Sequence, residues 1–227
     1  MRKYPFSLAL NAGLSSLLLA ACGAAPSESA STPSAASSTA STAVVASNAL
    51  LKASTLPFEY PPFDQIKDAD FGPAMDQGMA EQLAEIKAIA ENPAPASFDN
   101  TIVAMEQSGR ILDRATTVFF NLVGADTNKA RQALQAEYSP KLAAHRDAIY
   151  LNPALFQRVD ALYQQRAALQ LDAESQRLLE RYHTDFVRAG AKLDAAEQAR
   201  MKAINAELAS LGTKFSQNVL AEVNDSA

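Results

Sequence analysis

The chain has 227 residues, with 20 lysines and arginines against 25 aspartates and glutamates, a formal net charge of −5 and a sequence pI of about 5.1. This acidic balance excludes nucleic-acid binding through a strongly basic surface. The single cysteine excludes an internal disulfide.

Residues 1–21 have the pattern of a secretory signal peptide. Arg2 and Lys3 precede an apolar run that is too short and too interrupted for a membrane-spanning helix. Residues 19–22, Leu-Ala-Ala-Cys, resemble a lipobox, which predicts that Cys22 is lipidated; the alternative is an ordinary cleaved signal with a cysteine nearby by chance. We expect an exported, membrane-anchored lipoprotein on the periplasmic side. Gly23 after the cysteine favours the outer membrane over the inner membrane.

Residues 22–55 are predicted to be a lipidated cysteine followed by a flexible tether. Alanine, serine, threonine and proline dominate this stretch, and such a composition buries too little apolar surface to offset the entropy of ordering. Leu50 and Leu51 are too few to change that prediction. A tether of this length suits a domain held away from a membrane surface.

Residues 56–227 are predicted to form one all-α domain. The segment is rich in good helix formers and poor in glycine, and no stretch alternates apolar and polar residues as a strand would. The first helix should begin near Pro73, which a first helical turn tolerates, and end before Asn92-Pro93-Ala94-Pro95. The second should be capped by Ser97 or Asn100 and run to about Val123. Its apolar stripe comprises Ile102, Met105, Leu112, Phe119 and Leu122.

A third helical segment is predicted to begin at Asp126 or Thr127 and to break at Ser139-Pro140, because proline inside a helix costs about 3 kcal/mol. A fresh helix should then run to Leu151. Asn152-Pro153 repeats this kind of start signal, and the helix that follows carries an apolar stripe. The stripe comprises Leu155, Val159, Leu162 and Leu169.

The last two predicted helices have clear boundaries. Asp172 should cap a helix that ends at Gly190, a left-handed C-cap. Asp194 and Glu197 resemble a capping box at the start of the final helix. The apolar positions of that helix are spaced three and four residues apart, and such stripes most often belong to a protein core. They are Met201, Ile204, Leu208, Leu211, Phe215 and Val219.

No catalytic constellation emerges from the residues. The only histidines are His145 and His183, and neither has a histidine four residues away, as a His-Glu-x-x-His zinc site requires. His145 is predicted to be a satisfied, half-buried histidine. Glu180 and His183 form one Glu-x-x-His element, whereas di-iron bundles need two copies and two further glutamates. His183 and Asp185 point to different faces of a helix.

Several blocks, in order, resemble the N-terminal region of the thimet oligopeptidase and peptidyl-dipeptidase family. They are residues 62–66 (Pro-Phe-Asp-Gln-Ile), 73–75, 94–102, 145–156, 185–191 and 215–220. The resemblance covers the chain from about residue 57 and is closest to the bacterial peptidyl-dipeptidases, which release dipeptides from peptide C-termini. It implies a helical zinc peptidase whose N-terminal helices form one wall of a cleft that admits short peptides.

The zinc site of that family lies downstream of the matched blocks, so no position here corresponds to a zinc ligand, a catalytic residue or a cofactor-binding residue. Zinc is expected only in the full-length family member. We therefore expect an N-terminal fragment whose catalytic part is missing, with apolar surface exposed on its last helix. One alternative is a short lipoprotein that acts as a peptide-binding or adaptor module without catalysis. Another is a purely structural helical lipoprotein.

Overall fold

The structure is a computed structural model that describes residues 48–226, and the all-α prediction is confirmed for them. This part contains no β-strand, and none of its helices is long and apolar enough to cross a bilayer. Its helices are α1 (Asp68–Ala90), α2 (Ala104–Gln107), α3 (Arg110–Ala125), α4 (Lys129–Tyr150), α5 (Pro153–Gln164), α6 (Ala173–Ala189) and α7 (Ala195–Asp225). The signal peptide, Cys22 and the tether up to residue 47 lie outside the described residues.

The predicted tether extends too far toward the domain, because residues 48–51 are packed against it. Asn48 is buried, and its Nδ2 donates to the carbonyl of Asp70 at 2.7 Å. Leu50 is 1 % exposed and packs in a core cluster with Phe71. The guanidinium of Arg114 donates to the carbonyl of Leu50 at 2.8 Å. These three contacts order the short segment, and a composition averaged over about thirty residues conceals them.

Helix α1 begins at Asp68, five residues before the start predicted at Pro73. The Asp70 carboxylate accepts a hydrogen bond from the Lys67 N–H at 2.8 Å, which satisfies the donor that precedes the helix. Further along, Gly78 allows α1 to approach α3. A Cβ at that position would lie 2.6 Å from the backbone nitrogen of Leu112.

The second predicted helix is in fact three pieces. Ser97 caps it as expected by accepting a hydrogen bond from the Asn100 N–H, but the first turn is a π-helix, Phe98–Val103, followed by the short α2. Gly109 then adopts φ +73° and separates α2 from α3. Its N–H donates to the Glu85 carboxylate of α1 at 2.7 Å. This tertiary hydrogen bond fixes a break that the apolar stripe did not reveal.

The predicted break at Ser139-Pro140 is wrong, because α4 is continuous from Asn128, its N-cap, to Tyr150. Proline removes only its own N–H and clashes with one carbonyl. The cost is offset by packing on both sides of that turn. Tyr138 is 3 % exposed in the core, and Ser139 Oγ accepts a hydrogen bond from Thr213 Oγ1 of α7 at 2.7 Å.

The predicted starts of the last three helices and the predicted end of α6 are confirmed, whereas α5 ends at Gln164, before Leu169 of its predicted stripe. Each N-cap side chain accepts a hydrogen bond from a backbone N–H three residues on, and Gly190 ends α6 at φ +102°. The capping residues are Asn152, Asp172 and Asp194, the last with Glu197 completing its capping box.

Two apolar clusters form the core. The first contains Phe71, Met75 and Phe119 and joins α1, α3 and α4. The second contains Ile102, Leu155 and Phe186 and joins the π-helical turn to α5 and α6. The stripes predicted on the second helix and on the helix after Asn152 contribute to these clusters, so their assignment to the core is confirmed. Leu122 and Leu169 are only partly buried, and Leu169 lies beyond the end of α5.

Candidate functional site

His145 lies on α4 and is 8 % exposed. Its Nε2 lies 2.7 Å from Gln82 Oε1, whereas its Nδ1 is buried and has no hydrogen-bond partner within residues 48–226. The predicted satisfied histidine is therefore confirmed for one ring nitrogen only. Burial lowers the pKa of His145 below its ordinary value of 6.5, because the charged ring would be poorly solvated. The ring is neutral at pH 7.

His183 and Glu180 do not converge on a common ligand position. His183 Nε2 lies 2.8 Å from Asp160 Oδ1, and its ring stacks on Tyr163 with the centroids 3.8 Å apart. Glu180 instead lies 3.5 Å from the guanidinium of Arg177. Glu180 and His183 have the Glu-x-x-His spacing, but their side chains make two unrelated contacts. Asp185 is likewise engaged elsewhere, at 3.7 Å from Arg181.

The ligand chemistry of residues 48–226 does not fit zinc. No group of three or more histidine, cysteine, aspartate or glutamate side chains in this part of the chain could hold a metal ion. The two histidines are each engaged by a separate side chain, Gln82 for one and Asp160 for the other. Any zinc in a longer enzyme would therefore need ligands from other residues.

A buried arginine holds together the loop that precedes the π-helical turn. Arg158 on α5 is 9 % exposed, and its Nη1 donates to the carbonyls of Asn92 and Ala94 at 2.9 and 3.0 Å. Its Nη2 donates to Asn100 Oδ1 at 2.7 Å, and its Nε lies 3.3 Å from Thr101 Oγ1. No sequence pattern considered above pointed to this residue. A basic side chain within the apolar stripe of α5 is the signal that could have revealed it.

An open groove runs between α3 and α4, with a cavity volume of about 560 Å³. Leu112, Phe120 and Leu142 give it an apolar lining, and His145 borders it. Phe120 is 39 % exposed there. The groove could accept an apolar side chain, and its other lining residues are polar: Thr116, Thr117 and Asn121.

The apolar stripe of α7 is not part of the core of this domain, contrary to the prediction that it is buried. Its five central residues are 41 to 69 % exposed: Ile204, Leu208, Leu211, Phe215 and Val219. The predicted exposure of apolar surface on the last helix is confirmed.

The opposite face of α7 packs on α4 through polar contacts. Asn205 Nδ2 donates to Asp147 Oδ1 at 2.7 Å, and Gln217 Nε2 donates to the carbonyl of Gln132 at 2.8 Å. Thr213, the one buried residue of the helix, lies between them along the sequence. Half-buried apolar residues lie on the same inward side: Ala206, Ala209 and Leu220. That side therefore combines polar and apolar residues, whereas the stripe faces outward.

Comparison with known proteins shows that most of this chain is similar to part of several bacterial peptidases. The chain is 48 % identical over 177 residues to dipeptidyl carboxypeptidase of Salmonella typhimurium, and 49 % identical over 174 residues to that of Escherichia coli. These matches cover 78 % and 77 % of this chain but 26 % of each relative. Oligopeptidase A of Salmonella typhimurium is 22 % identical over 163 residues, which are 72 % of this chain and 24 % of that protein. No family model matches.

The predicted resemblance to the N-terminal region of the peptidyl-dipeptidase family is therefore confirmed. The chain spans about a quarter of the length of the curated relatives it matches.

Proposed function

We propose that this chain is the N-terminal, non-catalytic part of a lipid-anchored zinc metallopeptidase that removes dipeptides from short peptides. The observation that carries the proposal is the close similarity of most of the chain to a quarter of two dipeptidyl carboxypeptidases. In this division of labour, the described residues provide a helical scaffold. The zinc site belongs to the remaining part of the enzyme.

In this proposal the helices form one wall of the substrate cleft. The hydrogen-bonded loop around Arg158 and the crossing at Gly78 keep the helices in fixed positions. A wall built this way shapes access to a cleft without taking part in bond cleavage. Short peptides are the substrates because folded proteins would not enter such a cleft.

The location of the enzyme follows from the signal-like pattern at residues 1–22. A lipid on Cys22 would hold the mature protein at a membrane on the periplasmic side, the outer membrane in preference to the inner one. The residues after Cys22 supply a spacer rich in alanine and serine. Incorporation of labelled palmitate into the chain, and its loss in Cys22→Ser, tests the anchor separately from the peptidase proposal.

A chimeric enzyme tests the peptidase proposal. In the dipeptidyl carboxypeptidase of Escherichia coli, the region of similarity is replaced by residues 48–226 of this chain. The chimera should release the C-terminal dipeptide from an N-blocked tetrapeptide, and EDTA should abolish the release. The 227-residue chain alone is the matched control and should release none. A chimera that has the helical circular dichroism of the parent enzyme but leaves the peptide intact would overturn the proposal.

One observation favours a second function, peptide binding without catalysis. The groove between α3 and α4 is open, and its lining combines the apolar side chains of Leu112, Phe120 and Leu142 with polar ones. A peptide side chain could occupy it in a chain that has no catalytic partner. Saturable binding of the same tetrapeptide to the 227-residue chain, weakened at least roughly tenfold by Phe120→Asp, would support this function. Equal binding by both proteins would exclude the groove.

A further inference from the structure

The orientation of α7 carries an inference that rests on the proposed function. At about 100° per residue, the stripe residues lie roughly 120–180° around the helix from Thr213, the buried residue that faces α4. An amphipathic surface helix normally turns its apolar stripe toward the core. In α7 the stripe faces outward instead, and the inward face combines hydrogen bonds at Asn205, Thr213 and Gln217 with half-buried alanine and leucine side chains. Such an arrangement is typical of a helix that packs between two layers of protein.

We propose that the outer face of α7 is the docking surface for an apolar α-helix in the catalytic part of the same enzyme. This docking face comprises Ile204, Leu208, Leu211, Phe215 and Val219, whose spacings are four, three, four and four residues. That alternation forms a straight seam along one side of a helix, about 22 Å long at 1.5 Å per residue. A second helix fits such a seam by placing its ridges in the grooves between the side chains.

We assign the docking face to the catalytic part of the enzyme for two reasons. That part is long enough to cover the face, and the contact would be intramolecular. About three quarters of each dipeptidyl carboxypeptidase has no counterpart in the match, which leaves ample polypeptide to cover the face. Two parts of one chain lose no translational freedom when they dock, so a contact of modest area suffices.

A second copy of this chain fits the docking face less well. Its five side chains expose about half of their area, roughly 500 Å² in all, whereas a standard stable interface buries about 800 Å² per partner, so a second copy would need further contacts beside the stripe. A membrane surface also fits poorly. Helix α7 carries four acids, Glu197, Glu207, Glu222 and Asp225, against three bases, Arg200, Lys202 and Lys214. Membrane-surface helices instead concentrate lysine and arginine on their polar face.

Cysteine labelling in the chimera described above tests the docking face without depending on activity. Leu208→Cys is placed in both the chimera and the 227-residue chain, and Leu83→Cys, at an exposed leucine of α1, is the matched control. Labelled positions are identified by mass spectrometry. The cysteine at 208 should react at least roughly tenfold more slowly in the chimera than in the chain. The cysteine at 83 should react at similar rates in both.

The outcomes separate the two proposals. Rapid labelling at position 208 in a chimera that releases dipeptides would overturn the docking face and leave the peptidase proposal intact. A folded chimera that releases no dipeptide would overturn the proposed function and the inference that rests on it. Protection of position 208 in the 227-residue chain itself, increasing with protein concentration, would assign the face to a second copy and overturn the inference.

Discussion

Replacing Arg158 by lysine should destabilise the domain by about 2–3 kcal/mol, although the charge is kept. Arg158 donates to the carbonyls of Asn92 and Ala94 and to Asn100 Oδ1 and reaches Thr101 Oγ1, all within 3.3 Å. Hydrogen bonds from a charged donor contribute roughly 1.5–3 kcal/mol each, and they are not additive. A lysine ammonium is a compact donor that cannot span four acceptors arranged around a planar fork. Water can replace the lost donor at the carbonyl of exposed Ala94, which limits the decrease in the free energy of unfolding.

The measurement is urea unfolding followed by circular dichroism at 222 nm. For a domain of this size, a loss of 2–3 kcal/mol also lowers the melting temperature by about 5–10 °C. Arg177→Lys is the matched control, because Arg177 is 82 % exposed and its pairing with Glu180 contributes little. An unfolding free energy for Arg158→Lys within about 0.5 kcal/mol of the parent, with an unchanged m-value, would refute this account of the loop.

Further predictions concern glycine, histidine and the outer face of α7. Gly78→Ala should lower the free energy of unfolding in urea by about 2–3 kcal/mol, because the added Cβ would clash with the backbone of Leu112. Gly124→Ala should raise it by up to about 1 kcal/mol, because nothing lies within 4 Å of the added Cβ. Below about pH 6.5 the unfolded chain binds a proton at His145 before the folded chain does. The unfolding free energy should therefore fall as the pH drops through that range, and His145→Gln should show a smaller fall; equal pH dependences would contradict the burial argument. The 227-residue chain should bind a hydrophobic dye, and Phe215→Glu should weaken dye binding without loss of helix; a chain that binds no dye would count against an exposed apolar face. The purified chain should bind less than stoichiometric zinc and release no dipeptide, and EDTA-sensitive release from a clean sample would contradict the division of labour proposed above.

Local chemistry made several boundaries predictable. Asn152, Asp172 and Asp194 cap their helices through hydrogen bonds to residues three positions on, and these contacts depend on neighbouring residues only. Gly190 needs its left-handed conformation for the same local reason. Such features can be identified in a sequence without knowledge of the tertiary fold.

The errors arose where distant residues decide the structure. The break at Gly109 is fixed by Glu85 on another helix, and the continuity of α4 through Pro140 depends on packing around Tyr138. Asn48 and Leu50 are ordered by contacts with α1 and α3 that no local composition reveals. In each case tertiary contacts override the local preference.

The candidate site was predictable only in outline. The blocks of resemblance pointed to the family of the relatives that comparison found, and the block at residues 94–102 contains Asn100 and Thr101, which contact Arg158. Arg158 itself lies outside the quoted blocks and was missed. The spacing on α7 identified an apolar face correctly, but spacing alone does not tell which layer of protein covers that face.

The mass of the native protein tests the central claim most directly. An antibody raised against residues 48–226 should detect, in the native cells, a product several times larger than the 24.2 kDa of this chain. That result is expected if the helices are one wall of a complete peptidyl-dipeptidase. A product that accumulates at about 24.2 kDa would contradict the claim and make peptide binding without catalysis the function to test.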